Sequence, residues 1–221
     1  MNSELLPASA SACSVADHYP ATGAQMVLKR GLDLVGAGLL LLVTFPLCCV
    51  LAVLIRLHDG GAVIYERRVV GSDGEFSAYK FRTMRMDADQ LLASDRHLRL
   101  TFERNFKLEN DPRVTRLGAF LRKYSLDELP QLLNVIRGKM SLVGPRMVTA
   151  EELGKYGPYR DLLLKVKPGI TGYWQVNGRQ KVSYEERVRM DVHYIRNWNL
   201  LLDLHILCKT PIKVIKGEGA Y

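Results

Sequence analysis

The sequence predicts an α+β fold that is mostly helical and anchored in a membrane. Three observations predict it. Residues 34–55 read LVGAGLLLLVTFPLCCVLAVLI, 22 positions without a charge, long enough to span a bilayer as one helix. Residues 62–82 show strand-like alternation around Gly71-Ser72-Asp73-Gly74, the mark of a β-hairpin. Most of the remainder carries apolar residues at helical spacing, interrupted by Gly and Pro.

Residues 1–28 are expected to form a flexible tail. The first 25 contain no Lys or Arg, whereas a secretory signal starts basic and continues apolar. Residues 29–58 form the membrane element. Helices of soluble cores seldom run this long without a polar residue. Lys29 and Arg30 precede the run and Arg56 follows it. Basic flanks favour the cytoplasmic side, so both ends ask for the same face. Pro46 falls inside the run, where it removes a helical hydrogen bond and tends to kink or break the helix. The piece before it, residues 34–45, is about 18 Å long as a helix, close to one leaflet of a ~30 Å hydrocarbon core. A helix–break–helix that enters and leaves on one face fits both charge and length. A straight, kinked span is the competing reading.

Residues 59–221 form the rest of the protein. After the hairpin, residues 84–110 read as helix and Asp111-Pro112 as a break. Helices follow over 117–122 and 126–136, then a loop over 141–146. Helix returns near 150–156, residues 168–179 are turn-rich with short extended pieces, and 184–198 read as helix. Residues 200–215 are apolar, with Lys209, Lys213 and Lys216 among or beside them. That pattern suits a helix lying on a membrane surface, and equally an ordinary core helix.

The chain has 221 residues, a length that fits one domain or one domain with a short appendage. Lys and Arg outnumber Asp and Glu by 31 to 23, a net charge of +8, so anionic partners are preferred: nucleic acid, anionic lipid or phosphorylated small molecules. Cys13, Cys48, Cys49 and Cys208 have no C-x2-C spacing, which argues against a structural zinc site and fits a reducing compartment. Tyr65, Tyr79, Phe81 and Trp174 offer faces for stacking on bases. Yet aromatics make up only 8%, acids interleave with the bases, and a membrane run accompanies them, so nucleic acid is not expected.

Charge concentrates in RLGAFLRKYSLDELPQLLNVIRGKMSLVGPR, residues 116–146. Asp127 and Glu128 are adjacent acids among basic residues. One explanation is structural: Ser125-x-x-Glu128 matches a helix capping box, and Asp127 in a first turn suits the helix dipole. The other is chemical. Neighbouring side chains on a helix point about 100° apart, so the two acids cannot flank one substrate atom. They can divide the work, one carboxylate attacking and the other holding a metal. A carboxylate that attacks phosphorus needs a divalent cation and basic groups to neutralise phosphate oxygens. Arg113, Arg116, Arg122, Lys123 and Arg146 lie near in sequence, and Lys80 and Arg82 are able to approach in space.

With these motifs in view, the chain resembles the bacterial sugar transferase family, the monotopic phosphoglycosyl transferases. The matching pieces are KRGLDLV (29–35), YKFRTMR (79–85), residues 111–146 from DPRVTRLG to SLVGPR, KPGITGYWQVNGR (167–179) and the ending GEGAY. The resemblance implies transfer of a sugar 1-phosphate from a UDP-sugar to undecaprenyl phosphate, with release of UMP. That step starts exopolysaccharide, capsule or O-antigen repeat units. It also implies a re-entrant, Pro-broken membrane helix, amphipathic surface helices and a small active-site region with a β-hairpin, on the cytoplasmic face of the bacterial inner membrane. By motif position Asp127 is the nucleophile, forming a glycosyl-phosphoryl-aspartate. Glu128 is the Mg²⁺ ligand, with Asp127 beside it as a second candidate. Lys80, Arg122 and Arg146 match phosphate-holding residues, and Arg82 joins them as a candidate. Gln175, Asn177 and Arg179 fall in a motif near the nucleotide.

The chain departs from the family pattern twice. Phe45-Pro46 stands where the family usually has Ser-Pro, with Thr44 as a substitute hydroxyl, and Met147 follows Arg146 where a second Pro is usual. The ending GEGAY looks more like the hexose 1-phosphate branch, for glucose or galactose. Expected partners are the UDP-sugar, undecaprenyl phosphate and membrane lipid, with a homo-oligomer as an option. The alternative is a membrane-anchored scaffold whose basic face meets anionic lipid and whose acids only cap a helix.

Overall fold

The computed structural model describes residues 20–105, 108, 111–178 and 182–216. It opens with α1, Gly23–Asp59, a helix of 37 residues. Thr22 and Gln25 form a capping box at its start, so residues 23–28, expected in the tail, are its first turns. The rest of the expected tail up to residue 19 lies outside the described residues. Gly60 ends the helix in the left-handed conformation, φ 70°, with its N–H on the Arg56 carbonyl. The expected break at Pro46 does not occur, since α1 continues through it. Proline's fixed φ is itself helical, and its cost is confined to one lost hydrogen bond and the crowding of one turn. On that turn Thr44 Oγ1 donates to the Leu40 carbonyl at 2.7 Å.

One stripe of α1 faces the rest of the chain at both ends. Near the start, Lys29, Asp33 and Ala37 are buried. Lys29 Nζ pairs with Asp203 Oδ2 at 2.5 Å and donates to the Val143 carbonyl at 3.1 Å. Asp33 accepts from Ser141 Oγ at 2.8 Å and from the Leu142 N–H at 3.0 Å. Near the end, Leu51 and Ile55 pack with Phe81 and Leu121. Between these anchors most of the helix is exposed, Leu42 and Val43 by 72% and 76%, while Leu41 and Cys48 stay partly buried.

The hairpin forms as expected. Strands β1 (Ile64–Gly71) and β2 (Gly74–Phe81) pair antiparallel from Ile64↔Phe81 to Gly71↔Gly74. Val69, Phe76 and Ala78 join a core with Leu132, Val135, Met140 and Leu142. The far edge of β2 is engaged by Asn134, whose amide accepts from the Tyr79 N–H at 3.0 Å and donates to the Ser77 carbonyl at 2.8 Å.

The helix expected over 84–110 is two helices, α2 (Ala88–Ser94) and α3 (Arg96–Asn105). Asp95 divides them because its carboxylate accepts from the Leu98 N–H, as a cap does. Helix α4 (Arg116–Lys123) is capped by Thr115. The helix expected over 126–136 is also divided, into a 3₁₀ turn at Leu126–Glu128 and α5 at Gln131–Ile136. The loop expected at 141–146 contains β3 (Ser141–Val143), which pairs in parallel with β4 (Gly169–Thr171). A Cβ on Gly169 would stand 2.1 Å from the Gly144 nitrogen, so these backbones meet where a side chain has no room.

Helices α6 (Ala150–Leu153), α7 (Arg160–Leu164), α8 (Tyr173–Asn177), α9 (Tyr184–Arg196) and α10 (Leu200–Ile215) complete the fold. Of these, α8 lies in a segment expected to hold only turns and extended pieces. Helix α10 buries Asp203 and Ile206 as a core helix does, while leaving Leu201 and Ile215 at least three-quarters exposed.

Candidate active site

The 3₁₀ turn that carries Asp127 and Glu128 follows directly on α4. Ser125, just before it, is the one described non-glycine residue with positive φ, 53°, a conformation that L side chains rarely adopt. Its side chain makes no capping bond, so the capping box expected at Ser125 and Glu128 does not form. The acids therefore need another explanation. Asp127 is buried, 7% exposed.

Lys80 reaches the turn from β2. Its Nζ lies 2.5 Å from Glu128 Oε1 and 4.0 Å from Asp127 Oδ2. The strand ladder and the Asn134 amide on the neighbouring Tyr79 hold Lys80 in register. Arg122, on the last turn of α4, is positioned by Nε donation to Thr83 Oγ1 at 2.9 Å. The approach of α4 to Thr83 depends on Gly118, where a Cβ would stand 2.0 Å from the Thr83 carbonyl oxygen. Burial raises the pKa of Asp127 and the Glu128 charge adds to this, while Lys80 and Arg122 oppose it. Burial also lowers the pKa of Arg122, which Asp127 and Asp111 offset. The result is a desolvated carboxylate held between two cations, a setting that tunes nucleophiles and acids.

Lys80, Arg122, Asp127 and Glu128 thus come together as the sequence led us to expect. Arg82 goes elsewhere, its guanidinium lying over Gly61 beside the C-terminal end of α1. Arg146 stands with Trp174, its Cζ 5.4 Å from the ring centroid. On α8, Gln175 Nε2 donates to the Ile170 carbonyl and the exposed Asn177 donates to the Tyr173 carbonyl. Arg179 lies outside the described residues, as does the GEGAY ending. Sequence reasoning missed Thr83 and Asn134, which position Arg122 and β2. A buried amide in the apolar stretch LLNVI was the available signal for Asn134. It also missed Arg187 and Asp191, which stand beside Arg146.

The sequence profile described as bacterial sugar transferase matches residues 24–217. The chain belongs to the bacterial sugar transferase family. Among its relatives, it is 48% identical over 199 residues to the UDP-galactose-lipid carrier transferase of Erwinia amylovora, covering 88% of this chain and 42% of that one. It is 44% identical over 200 residues to the exopolysaccharide production protein ExoY of Sinorhizobium fredii, covering 88% of each. It is 38% identical over 215 residues to the UDP-glucose:undecaprenyl-phosphate glucose-1-phosphate transferase of Escherichia coli K12, covering 91% of this chain and 43% of that one. The chain therefore spans about two fifths of the length of several relatives and nearly all of another.

The sequence reading expects a divalent cation at this turn. Among the described residues no group of three or more His, Cys, Asp or Glu gathers, and the donors at the turn are the paired carboxylates of Asp127 and Glu128. That donor set fits Mg²⁺, which is commonly held by one or two carboxylates with substrate phosphates and water, and does not suit zinc.

Proposed function

We propose that this chain transfers a hexose 1-phosphate from a UDP-sugar to undecaprenyl phosphate, as the names of its relatives suggest, and so starts an exopolysaccharide repeat unit. The observation that carries this reading is the buried Asp127, set on a turn with no capping duty and flanked by Lys80, Glu128 and Arg122. In the first half-reaction, Asp127 Oδ2 attacks the sugar-bearing phosphorus of the donor. The bond from that phosphorus to the bridging oxygen breaks, and UMP leaves with the electron pair. In the second, an oxygen of undecaprenyl phosphate attacks the same phosphorus and releases the Asp127 carboxylate. Lys80 favours the ionised form of Asp127 against its burial, and Arg122 offers its guanidinium to phosphate oxygens. Mg²⁺, held by Glu128 and Asp127, would neutralise phosphate charge when bound.

The membrane arrangement proposed is re-entrant, on the cytoplasmic face. A helix crossing the whole bilayer over residues 34–55 would place Lys29 and Ile55 on opposite sides. Both ends of α1 pack against one body, and a proline kink within the continuous helix at Pro46 would let it enter and leave on that body's face. The exposed apolar middle of α1 and the exposed leucine and isoleucines of α10 are the surfaces such a protein sinks into lipid.

The test is UMP release by the protein in lipid nanodiscs with undecaprenyl phosphate, Mg²⁺ and either UDP-glucose or UDP-galactose. Release is expected with one of the two, lost in Asp127→Asn and in EDTA. Near wild-type turnover by a folded Asp127→Asn would remove the covalent step. The scaffold reading predicts no release, and the missing capping box counts against it.

A further inference from the structure

A second charged cluster lies beyond the Asp127 turn, at the end of the β3–β4 pair. The backbone N–H of Arg146 points to Asp191 Oδ2 at 3.4 Å, and the Tyr156 hydroxyl donates to the same oxygen at 2.8 Å. Arg187, one turn into α9, places its Cζ 4.5 Å from the Trp174 centroid and 5.4 Å from that of Tyr184. Arg146 approaches the same indole. Two guanidiniums therefore share one aromatic ring, with the buried Asp191 as the acid between them.

Among the described residues, three donors in this cluster, Arg146 Nε, Arg187 Nε and Trp174 Nε1, are buried without a hydrogen-bond partner. Trp174 is only 6% exposed. Buried donors are nearly always satisfied, and a group of unsatisfied ones calls for an explanation. Burial and the neighbouring Arg146 both lower the pKa of Arg187, so each cation makes the other costlier. Stacking on Trp174 accounts for the faces of the guanidiniums and leaves their Nε–H groups without a partner among the described residues. An anion with several oxygens would use those groups, and arginine forks match phosphate.

We infer that Arg187 is a substrate-binding residue, forming with Arg146 and the Trp174 N–H a site for a phosphate ester. This rests on the proposed transferase reading, which supplies two candidate phosphates: the diphosphate of the UDP-sugar and the head of undecaprenyl phosphate. Neither motif reading nor the Asp127 turn assigns Arg187 a part.

The experiment is equilibrium titration in nanodiscs, in an Asp127→Asn background that prevents turnover. One arm titrates UDP-glucose and UDP-galactose, the other undecaprenyl phosphate. Arg187→Met keeps much of the stem and removes the charge; Arg187→Lys restores a charge without the fork. Arg187→Met is expected to weaken one phosphate ligand by about 10- to 100-fold, the range for a charge-assisted hydrogen bond. Arg187→Lys should recover part of that loss, with the unfolding midpoint of both variants near that of the parent. Loss confined to the UDP-sugar arm places the donor diphosphate at Arg187; loss confined to the lipid arm places the acceptor there. Affinities within twofold of the parent in both arms, in folded variants, overturn the inference. If Arg187→Met does not fold, Arg187→Lys and the fluorescence of Trp174 in the parent decide it. An indole unmoved by saturating ligand in both arms overturns it. Wild-type protein that binds neither ligand sinks the transferase reading itself, an outcome distinct from the failure of Arg187 alone.

Discussion

Replacing Lys80 by Met should move the acid limb of the activity profile rather than simply lower activity. The structure places Lys80 Nζ 4.0 Å from Asp127 Oδ2, with both side chains largely buried. At that separation and an effective dielectric near 20, the attraction is about 4 kcal/mol. Solvent entering the vacated space screens part of it, so this attraction is an upper bound on what Asp127 loses. The direction follows from the charges. Burial already raises the Asp127 pKa and Lys80 opposes it, so loss of the ammonium raises it further. A nucleophilic Asp127 must be ionised, so activity falls as pH drops through its pKa. The assay is kcat/KM for UMP release between about pH 5 and 9, for wild type and Lys80→Met. The variant should lose activity near neutral pH and regain much of it at high pH. A uniform drop with an unmoved acid limb would refute the reasoning and make Lys80 a phosphate ligand only.

Three further outcomes are expected. Lys29→Met removes the cation from a buried pair in which Asp203 also accepts from Tyr194 and Trp198. It should cost about 3–5 kcal/mol by denaturant unfolding in nanodiscs, and a loss under 1 kcal/mol would show that the neutral donors suffice. Gly118→Ala drives a methyl into the Thr83 carbonyl, so it should destabilise by about 1–3 kcal/mol and reduce UMP release through Arg122; an unchanged unfolding midpoint and rate would contradict the tight approach of α4. Asp191 has a pKa pushed up to about 7 by burial, against the opposing bonds from Tyr156 and Arg146. The folded state then holds a proton that the unfolded state releases above about pH 4. Stability should therefore fall as pH rises from about 4 to 7, by at most about 1.4 kcal/mol per pH unit. Asp191→Asn should flatten that slope, and parallel curves for the two proteins would refute it.

Much of this protein was legible along the chain because the deciding interactions are local. The apolar run predicts α1. The GSDG turn predicts the hairpin and its two-residue connection. Ser183 and Glu186 form the capping box that starts α9, three residues apart. The motif resemblance likewise points to Lys80, Arg122, Asp127 and Glu128, all set in short local patterns. Where local signals competed with tertiary ones, the local reading failed. Ser125 and Glu128 have capping-box spacing, yet the chain turns there into a 3₁₀ element with Ser125 left-handed. Pro46 signals a break, yet α1 passes through it.

What the sequence by itself determined is the inventory: a long apolar helix, a hairpin, amphipathic helices, and a set of acids and bases suited to phosphate chemistry. Those follow from periodicity, turn residues and charge, which act within a few positions. The tertiary structure alone decided which charges meet. Lys80 faces acids 47 and 48 positions away, Lys29 finds Asp203 across 174, and Arg187 stands over Trp174 while Arg82 lies over Gly61. Such pairings are made by packing elements distant in the chain, and burial then fixes the energy of each charge. Neither the partner nor the burial is written in the neighbourhood of the residue itself.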